Sequence, residues 1–110
     1  MSTHGLLLAA GAGSRMGRPK ALVADEQGPW LPRAVAALLD GGCDRVVVVL
    51  GAAADEAAAL LDTRHLADPS RIDVVGADDW AAGMSASLRA GLAALETTDA
   101  DAALLHLVDL

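Results

Sequence analysis

Four short apolar runs recur along the chain, and stretches with helical spacing separate them. The runs cover residues 5–10, 45–50, 71–75 and 102–108. The clearest run, at 45–50, reads Arg-Val-Val-Val-Val-Leu. Its β-branched side chains point to both faces of a strand, so both faces must be buried. Buried strands that alternate with helices indicate a parallel sheet covered by helices on both sides.

Three helices are predicted between these strands, at residues 32–40, 54–61 and 85–95. Pro32 suits a first helical turn, and the pair Gly41-Gly42 suits a helix end. The predicted order is therefore βαβαβαβ. With right-handed crossovers this order gives an open, mostly parallel, Rossmann-like α/β sheet with helices on both faces. Residues 24–30 and 62–70 are predicted to be exposed loops.

Composition limits the classes of partner. A chain of 110 residues, 54% of them hydrophobic, can bury a core as one domain spanning 1–110. A net charge of −7 argues against nucleic acid and anionic membranes as partners. No apolar run approaches the roughly 18 residues of a membrane helix, and no secretory signal is evident. The single cysteine, Cys43, fits a reducing compartment, so a cytoplasmic location is expected.

The first strand runs into a glycine-rich, basic loop. Residues 11–20 follow the pattern Gly-x-Gly-x-Arg-x-Gly-x-x-Lys and hold three of the eight basic residues. Glycines let backbone N–H groups approach an anion, and the neighbouring cations complete a phosphate cradle. The loop is not a Walker A motif, and Met16 replaces the third glycine of the dinucleotide fingerprint. The pattern indicates a nucleoside triphosphate site; the alternative is a tight strand-to-helix connection with solvated cations.

Two segments carry a family resemblance. Residues 8–20, Leu-Ala-Ala-Gly-Ala-Gly-Ser-Arg-Met-Gly-Arg-Pro-Lys, resemble the signature loop of the MobA-like nucleotidyltransferases. Residues 80–92, Trp-Ala-Ala-Gly-Met-Ser-Ala-Ser-Leu-Arg-Ala-Gly-Leu, are similar to a segment of that family's molybdenum cofactor cytidylyltransferase branch. The guanylyltransferase branch has other residues where this chain has Ala10 and Pro19. The resemblance therefore favours CTP as the substrate, with GTP as the second candidate.

The resemblance implies a set of site residues. Arg15 is expected to pair with the outer phosphates, and Lys20 to neutralise charge on the attacked α-phosphate. Gly83, Met84 and Ser85 are expected to line the nucleoside pocket, and Ser85 is also a candidate N-cap of the third helix. The alternative is that this segment only caps the helix. The implied nucleotide-binding residues are Leu8, Ala9, Ala10, Gly11, Ala12, Gly13, Ser14, Arg15, Lys20, Gly83, Met84, Ser85 and Ser87.

Asp109 follows the last strand, and the resemblance implies that it binds Mg²⁺ bridging the triphosphate. Mg²⁺ takes oxygen ligands and keeps several waters, which suits that role. The alternative is a solvated carboxylate. The family's second metal-binding aspartate and its acceptor-binding half lie further downstream, so the chain is expected to be the N-terminal part of a longer domain and inactive alone.

The implied reaction transfers CMP from CTP to the phosphate of a molybdopterin-type cofactor and releases pyrophosphate. A molybdoenzyme or a maturation factor is the implied protein partner. Alternatives are a related enzyme that uses GTP or acts on a sugar or alcohol phosphate, and a nucleotide-binding module without catalysis.

Several other side chains are expected to be structural. His106 is expected in the core, His4 and His65 on the surface, and Cys43 packed without a partner. Trp80 is expected to pack beside a helix start; the alternative is that it stacks on a ligand. Asp78 and Asp79 are expected to be solvated.

Overall fold

A computed structural model describes residues 2–10, 22, 24–26, 28–51, 54–61, 71–77, 84–98 and 100–107. The strands are β1 (Thr3–Ala9), β2 (Ala24–Asp25), β3 (Gly28–Pro29), β4 (Arg45–Leu50), β5 (Ile72–Gly76) and β6 (Ala102–Leu107). The helices are α1 (Trp30–Asp40), α2 (Ala54–Leu61) and α3 (Met84–Glu96).

The main sheet has the strand order β5-β4-β1-β6, and every pair in it is parallel. In the register, Leu6 lies between Val47 on β4 and Leu105 on β6. The chain moves outward from β1 to β4 and β5, and then returns to the other side of β1 to form β6. The predicted open parallel sheet is confirmed, and its switch point lies between β1 and β6.

Helices cover both faces of the sheet, as the apolar strands predict. Leu7 and Val48 pack on one face against α1 residues such as Leu31 and Val35. On the other face, Leu8 and Val49 pack against Leu88, Ala90, Ala94 and Leu95 of α3. Successive residues of β1 therefore enter different cores, which explains why the strand has no polar face.

Most predicted elements are confirmed to within two residues at each end. Pro32 lies in the first turn of α1, Gly41 caps its carboxyl end, and Gly42 has a positive φ of 110°. Two predictions are wrong. The segment 24–30 is not a loop: it forms the β2–β3 hairpin and starts α1. Helix α3 begins at Met84, so Ser85 lies within its first turn and is not the N-cap.

Gly91 allows α3 to lie close to the sheet. A Cβ atom at this position would stand 2.5 Å from Leu6 Cδ1 and 3.0 Å from Val49 Cγ2. A Cβ only 2.5 Å from Leu6 Cδ1 is closer than real Cβ contacts, so a larger side chain would require the Leu6 methyl or α3 to shift. Gly91 therefore lets α3 approach the central strands without displacing Leu6.

Strand β6 has one described neighbour, β1. Leu104 and Leu105 point to opposite faces of the sheet, and each is 52% exposed. The described helices thus leave both faces of β6 partly bare. None of these helices is long and apolar enough to cross a membrane.

Candidate functional site

Small residues end β1 and β5, and one follows β4, at the carboxyl edge of the sheet. Ala9 ends β1 and is followed by the buried Ala10. Gly51 follows β4, Gly76 ends β5, and the amide of Ala77 donates to the Leu50 carbonyl at 2.7 Å. A Cβ atom on Gly76 would meet open space. Among the described residues, the side chains around Gly51, Gly76 and Ala77 are thus small, at the edge where ligands of such sheets usually bind.

The glycine-rich loop leaves this floor from Ala10. Its predicted binding residues Gly11, Ala12, Gly13 and Ser14, and its cations Arg15 and Lys20, lie outside the described residues. The described flanks are well anchored. Leu8, Ala9 and Ala10 are all at most 5% exposed, and Leu22 packs against the core cluster that contains Leu7. Both described flanks of the loop are thus packed in the core.

The described part of the predicted second segment begins at the same edge. Helix α3 connects the parallel strands β5 and β6, so it runs back across the sheet and its first turn lies near the strand ends. Ser85 is exposed in that turn, whereas Ser87 is buried and only 4% exposed. The free N–H groups of a helix start favour an anion. Gly83 and the side chain of Met84 fall outside what the structure describes.

The metal prediction also concerns this edge. Leu107, the last described residue of β6, pairs with Leu8 of β1, and Asp109 comes two residues later in the sequence. Asp109 itself is outside the described residues, as are Asp78, Asp79 and Trp80. Within the described ranges, no group of three or more His, Cys, Asp or Glu side chains is arranged to hold a metal ion. Asp109 therefore stays a prediction.

Sequence reasoning missed a polar cluster that joins the hairpin to α1. The Trp30 indole N–H donates to Asp25 Oδ2 at 3.0 Å, and Arg33 Nη2 lies 2.8 Å from Asp25 Oδ1. Arg33 Nε also donates to the Pro29 carbonyl at 3.4 Å. This cluster fixes the hairpin, which starts four residues after Lys20. The sequence signal for this cluster is the aspartate, Asp25, that lies five residues before the tryptophan Trp30.

The opposite, amino edge of the sheet contains a cavity of about 450 Å³. His4 lines it and is 2% exposed, so the prediction of a surface histidine is wrong. Thr97 and Thr98 also line it, but their hydroxyls donate to the Ala94 and Leu95 carbonyls at 2.7 Å. These hydrogen bonds satisfy backbone carbonyl groups at the carboxyl end of α3.

Two more side chains can be compared with their predictions. Cys43 is buried in the core, as predicted. Burial raises the pKa of its thiol, the Asp44 carboxylate raises it further, and Arg71 opposes both. His106 is half-buried on the outer strand β6, so the prediction of a core histidine is wrong. His65 lies outside the described residues.

The fold and sequence resemble known proteins over almost the whole chain. A protein named nicotine blue oxidoreductase, from Paenarthrobacter nicotinovorans, is 46% identical over 94 residues, which cover 84% of this chain and 43% of that protein. The crystal structure of Rv0371c from Mycobacterium tuberculosis H37Rv matches with a TM-score of 0.67 at 28% identity, covering 99% of this chain and 53% of that one. That protein has also been solved in complex with manganese.

A homologue of Rv0371c from Mycobacterium sp. strain JC1 is 34% identical, with a TM-score of 0.69, over 96% of this chain and 50% of that one. The CTP:phosphocholine cytidylyltransferase of Streptococcus pneumoniae has a TM-score of 0.73 over 99% of this chain and 46% of that one, and its 22% identity shows the shared fold alone. The chain spans about half the length of these relatives. Residues 5–110 match the family model of the MobA-like NTP transferase domain, and the chain belongs to that family.

Proposed function

We propose that this chain is the nucleotide-binding part of a nucleotidyltransferase that prefers CTP and transfers CMP to the phosphate of a molybdopterin-type cofactor. One observation carries the proposal. The loop with the pattern Gly-x-Gly-x-Arg-x-Gly-x-x-Lys follows β1 where that strand borders the switch point of a parallel sheet. Ligands of such sheets bind at this position.

The proposed reaction is a direct displacement at the α-phosphorus. An oxygen of the acceptor phosphate forms the new bond to that phosphorus, and the bond to the oxygen bridging to the β-phosphate breaks. Pyrophosphate leaves with the electron pair of that bond. The protein's task is positioning and charge stabilisation, so no covalent enzyme intermediate is required.

Each predicted residue has a role in this scheme. The backbone N–H groups of residues 10–14 hold the base and phosphates, Arg15 pairs with the outer phosphates, and Lys20 stabilises charge at the α-phosphate. The first turn of α3 adds the Ser85 hydroxyl and free N–H groups beside the nucleoside. Asp109 would hold a divalent cation, which supplies positive charge to the triphosphate oxygens.

Thermal unfolding with added nucleotides tests the binding half of the proposal. A ligand present at about 100 times its Kd stabilises the folded state by roughly 2.7 kcal/mol. CTP with Mg²⁺ should raise the Tm more than GTP or ATP does. The shift should disappear in Lys20→Ala and persist in Arg89→Ala, which removes one exposed cation from α3. Equal shifts from all three nucleotides would contradict the CTP preference.

Turnover is the second half of the test. Because relatives of about twice this length share the fold, we expect the 110 residues to bind nucleotide without releasing pyrophosphate. A longer form of the protein should release pyrophosphate from CTP when a molybdopterin-type acceptor is present. Binding without turnover in that longer form would favour a nucleotide-binding module. Turnover only with GTP, or only with a sugar or alcohol phosphate, would favour a related transferase.

A second candidate function is an oxidoreductase, favoured by the 46% identity to the protein of that name. Met16 stands where the dinucleotide fingerprint needs glycine, which weighs against a dinucleotide bound through this loop. The same melts performed with NADH and NADPH separate the two functions. A shift with a reduced dinucleotide and none with CTP would favour the oxidoreductase.

A further inference from the structure

The cavity at the amino edge of the sheet lies under the carboxyl end of α3, at the other end of the strands from the proposed nucleotide site. In the register, His4 of β1 pairs with Arg45 of β4, and Val47 of β4 pairs with Asp73 of β5. Val47 packs in the core cluster under α3, so these four side chains share the face that α3 covers. Three neighbouring strands thus form one side of the cavity.

The end of α3 supplies the other side of the cavity, through Ala94, Thr97 and Thr98. The volume of about 450 Å³ lies within the ~300–1,000 Å³ range of small-molecule pockets. The apolar side chains of Val47 and Ala94 stand there beside charged and hydroxyl side chains. The cavity can therefore offer a small molecule both apolar contact and hydrogen bonds.

The imidazole of His4, which lines the cavity, has an unsatisfied nitrogen. Its Nδ1 is buried and has no hydrogen-bond partner among the described residues, whereas its Nε2 lies 3.4 Å from Ser2 Oγ. Buried polar atoms in folded proteins nearly always have a partner, so this nitrogen requires an explanation. When Nε2 carries the proton and donates to Ser2, Nδ1 has a lone pair and accepts a hydrogen bond from a ligand.

Other polar groups of the cavity also retain acceptor capacity. The hydroxyls of Thr97 and Thr98 donate their protons to carbonyls of α3 at 2.7 Å, so their oxygens keep lone pairs. Each carboxylate oxygen of Asp73 accepts one hydrogen bond from Arg45, and a carboxylate has about four acceptor positions. The ligand that complements these groups is a hydrogen-bond donor.

The charges around the cavity favour a cationic donor. Arg45 and Asp73 form a two-point ion pair at 2.8 and 3.1 Å, so their formal charges cancel. The carboxyl end of α3 adds the partial negative charge of the last helical carbonyls, and the last turn of α3 has no basic side chain to offset it. The net charge of −7 on the whole chain acts in the same direction.

We propose that this cavity binds the ammonium group of a small primary amine, at a site separate from the nucleotide site. The three N–H donors of the ammonium match three acceptors, namely the Asp73 carboxylate, Thr97 Oγ1 and His4 Nδ1. Because the second side-chain torsion of histidine is soft, the ring can turn to present Nδ1 to the ligand. The short carbon chain of the amine lies against Val47 and Ala94. The proposal does not depend on the nucleotidyltransferase function.

Titration of the ¹⁵N-labelled 110-residue chain with n-butylammonium at pH 7, followed by amide NMR spectra, tests the proposal. Saturable shifts are expected at the amides around the cavity, with a Kd of about 1–10 mM for so small a ligand. Two matched compounds are compared at the same ionic strength. Butyltrimethylammonium has the same charge and no N–H donor, and butyrate has the opposite charge; both should bind roughly tenfold more weakly or not at all.

Variants locate the contact. Asp73→Asn and Thr97→Val should each weaken the binding of n-butylammonium about tenfold, because each removes an acceptor for a charged donor. Asp55→Asn is the matched control: it removes the same charge from an exposed position on α2, which packs on the other face of the sheet, and should bind normally. The ¹⁵N resonance of His4 Nδ1 should move on binding while that of Nε2 stays at the position of a protonated nitrogen. Circular dichroism establishes that each variant is folded.

The comparison of the three compounds needs only the wild-type chain, so it does not depend on how the variants fold. Absence of saturable shifts at the cavity up to about 50 mM would overturn the proposal, as would equal binding of butyltrimethylammonium or tighter binding of butyrate. Unchanged binding in a folded Asp73→Asn or Thr97→Val, or equal loss in Asp55→Asn, would overturn it too. A longer form of the protein should give the same shifts, because residues 4–98 form the cavity, and their absence there would also contradict the proposal.

Discussion

Replacing Gly91 with alanine tests whether the close packing of α3 on the sheet determines stability. The added Cβ would lie 2.5 Å from Leu6 Cδ1, 3.3 Å from Leu6 Cδ2 and 3.0 Å from Val49 Cγ2. Leu6 and Val49 are both buried, so neither can move without disturbing the core on that face. Overpacking of this kind costs about 1–3 kcal/mol.

Helix propensity acts in the opposite direction. Alanine in a helix interior is about 1 kcal/mol more favourable than glycine. The two effects together leave a net destabilisation of roughly 1 kcal/mol. For a domain of this size that difference lowers the Tm by about 4–8 °C.

The assay is thermal and urea unfolding of the wild-type chain, Gly91→Ala and a matched control. Gly76→Ala serves as the control because its Cβ would meet nothing within 4 Å, and it should change stability by less than about 0.5 kcal/mol. A Tm of Gly91→Ala above the wild-type value would refute the reasoning, since propensity alone would then explain the result. Leu6→Ala combined with Gly91→Ala supplies a second check. The double variant should lose less stability than the sum of the single variants, because removing the Leu6 methyls removes two of the three short contacts.

Three further predictions concern the loop, the sheet edge and the buried thiol. Lys20→Ala should abolish the CTP-dependent rise in Tm and leave the Tm without nucleotide unchanged; a retained shift would exclude Lys20 from the site. Asp73→Asn should cost at most about 1 kcal/mol, and less at high salt, because Arg45 and Asp73 are each about 40% exposed and solvent screens the pair; urea unfolding at two salt concentrations measures this, and a loss independent of salt would argue against an ion-pair effect. The raised pKa of Cys43 means that the folded state favours the neutral thiol, so its contribution to stability is complete below the unfolded pKa of about 8.5 and is lost as pH rises through the folded pKa. Unfolding curves from pH 7 to 10, with Cys43→Ser for comparison, check the sign, and a contribution that grows with pH would contradict it.

The sheet could be predicted because its strands are apolar on both faces, which is typical of a parallel sheet covered by helices on both sides. Strand β4 has the predicted bounds, 45–50, and helix α2 has the predicted bounds, 54–61. The strand order β5-β4-β1-β6 could not be read from any one segment. It depends on contacts between residues nearly 100 positions apart, which local periodicity does not record.

The errors have physical causes as well. His4 belongs to the short segment before the apolar run, yet its register places it between Arg45 and Ala103 in the middle of the sheet. The apolar strand predicts a core position for His106, but β6 has β1 as its one neighbour among the described strands, which leaves His106 half-buried. The hairpin at 24–29 is only two residues long on each side, too short for an alternating pattern. For the candidate site, the loop motif could be predicted from the sequence. The structure adds the small residues Gly76 and Ala77 at the carboxyl edge of the sheet.

The central position of β1 determines the order in which this chain can fold. Thr3 pairs with Ala102, 99 residues later, whereas His4 pairs with Arg45 after only 41 residues. On the ribosome, β1 can therefore join β4 early, but its other edge stays unpaired until residues 102–107 have emerged. Such distant pairing gives a high contact order and slow folding. During that interval one edge of this apolar strand, which is buried in the folded sheet, is open to pairing with other strands.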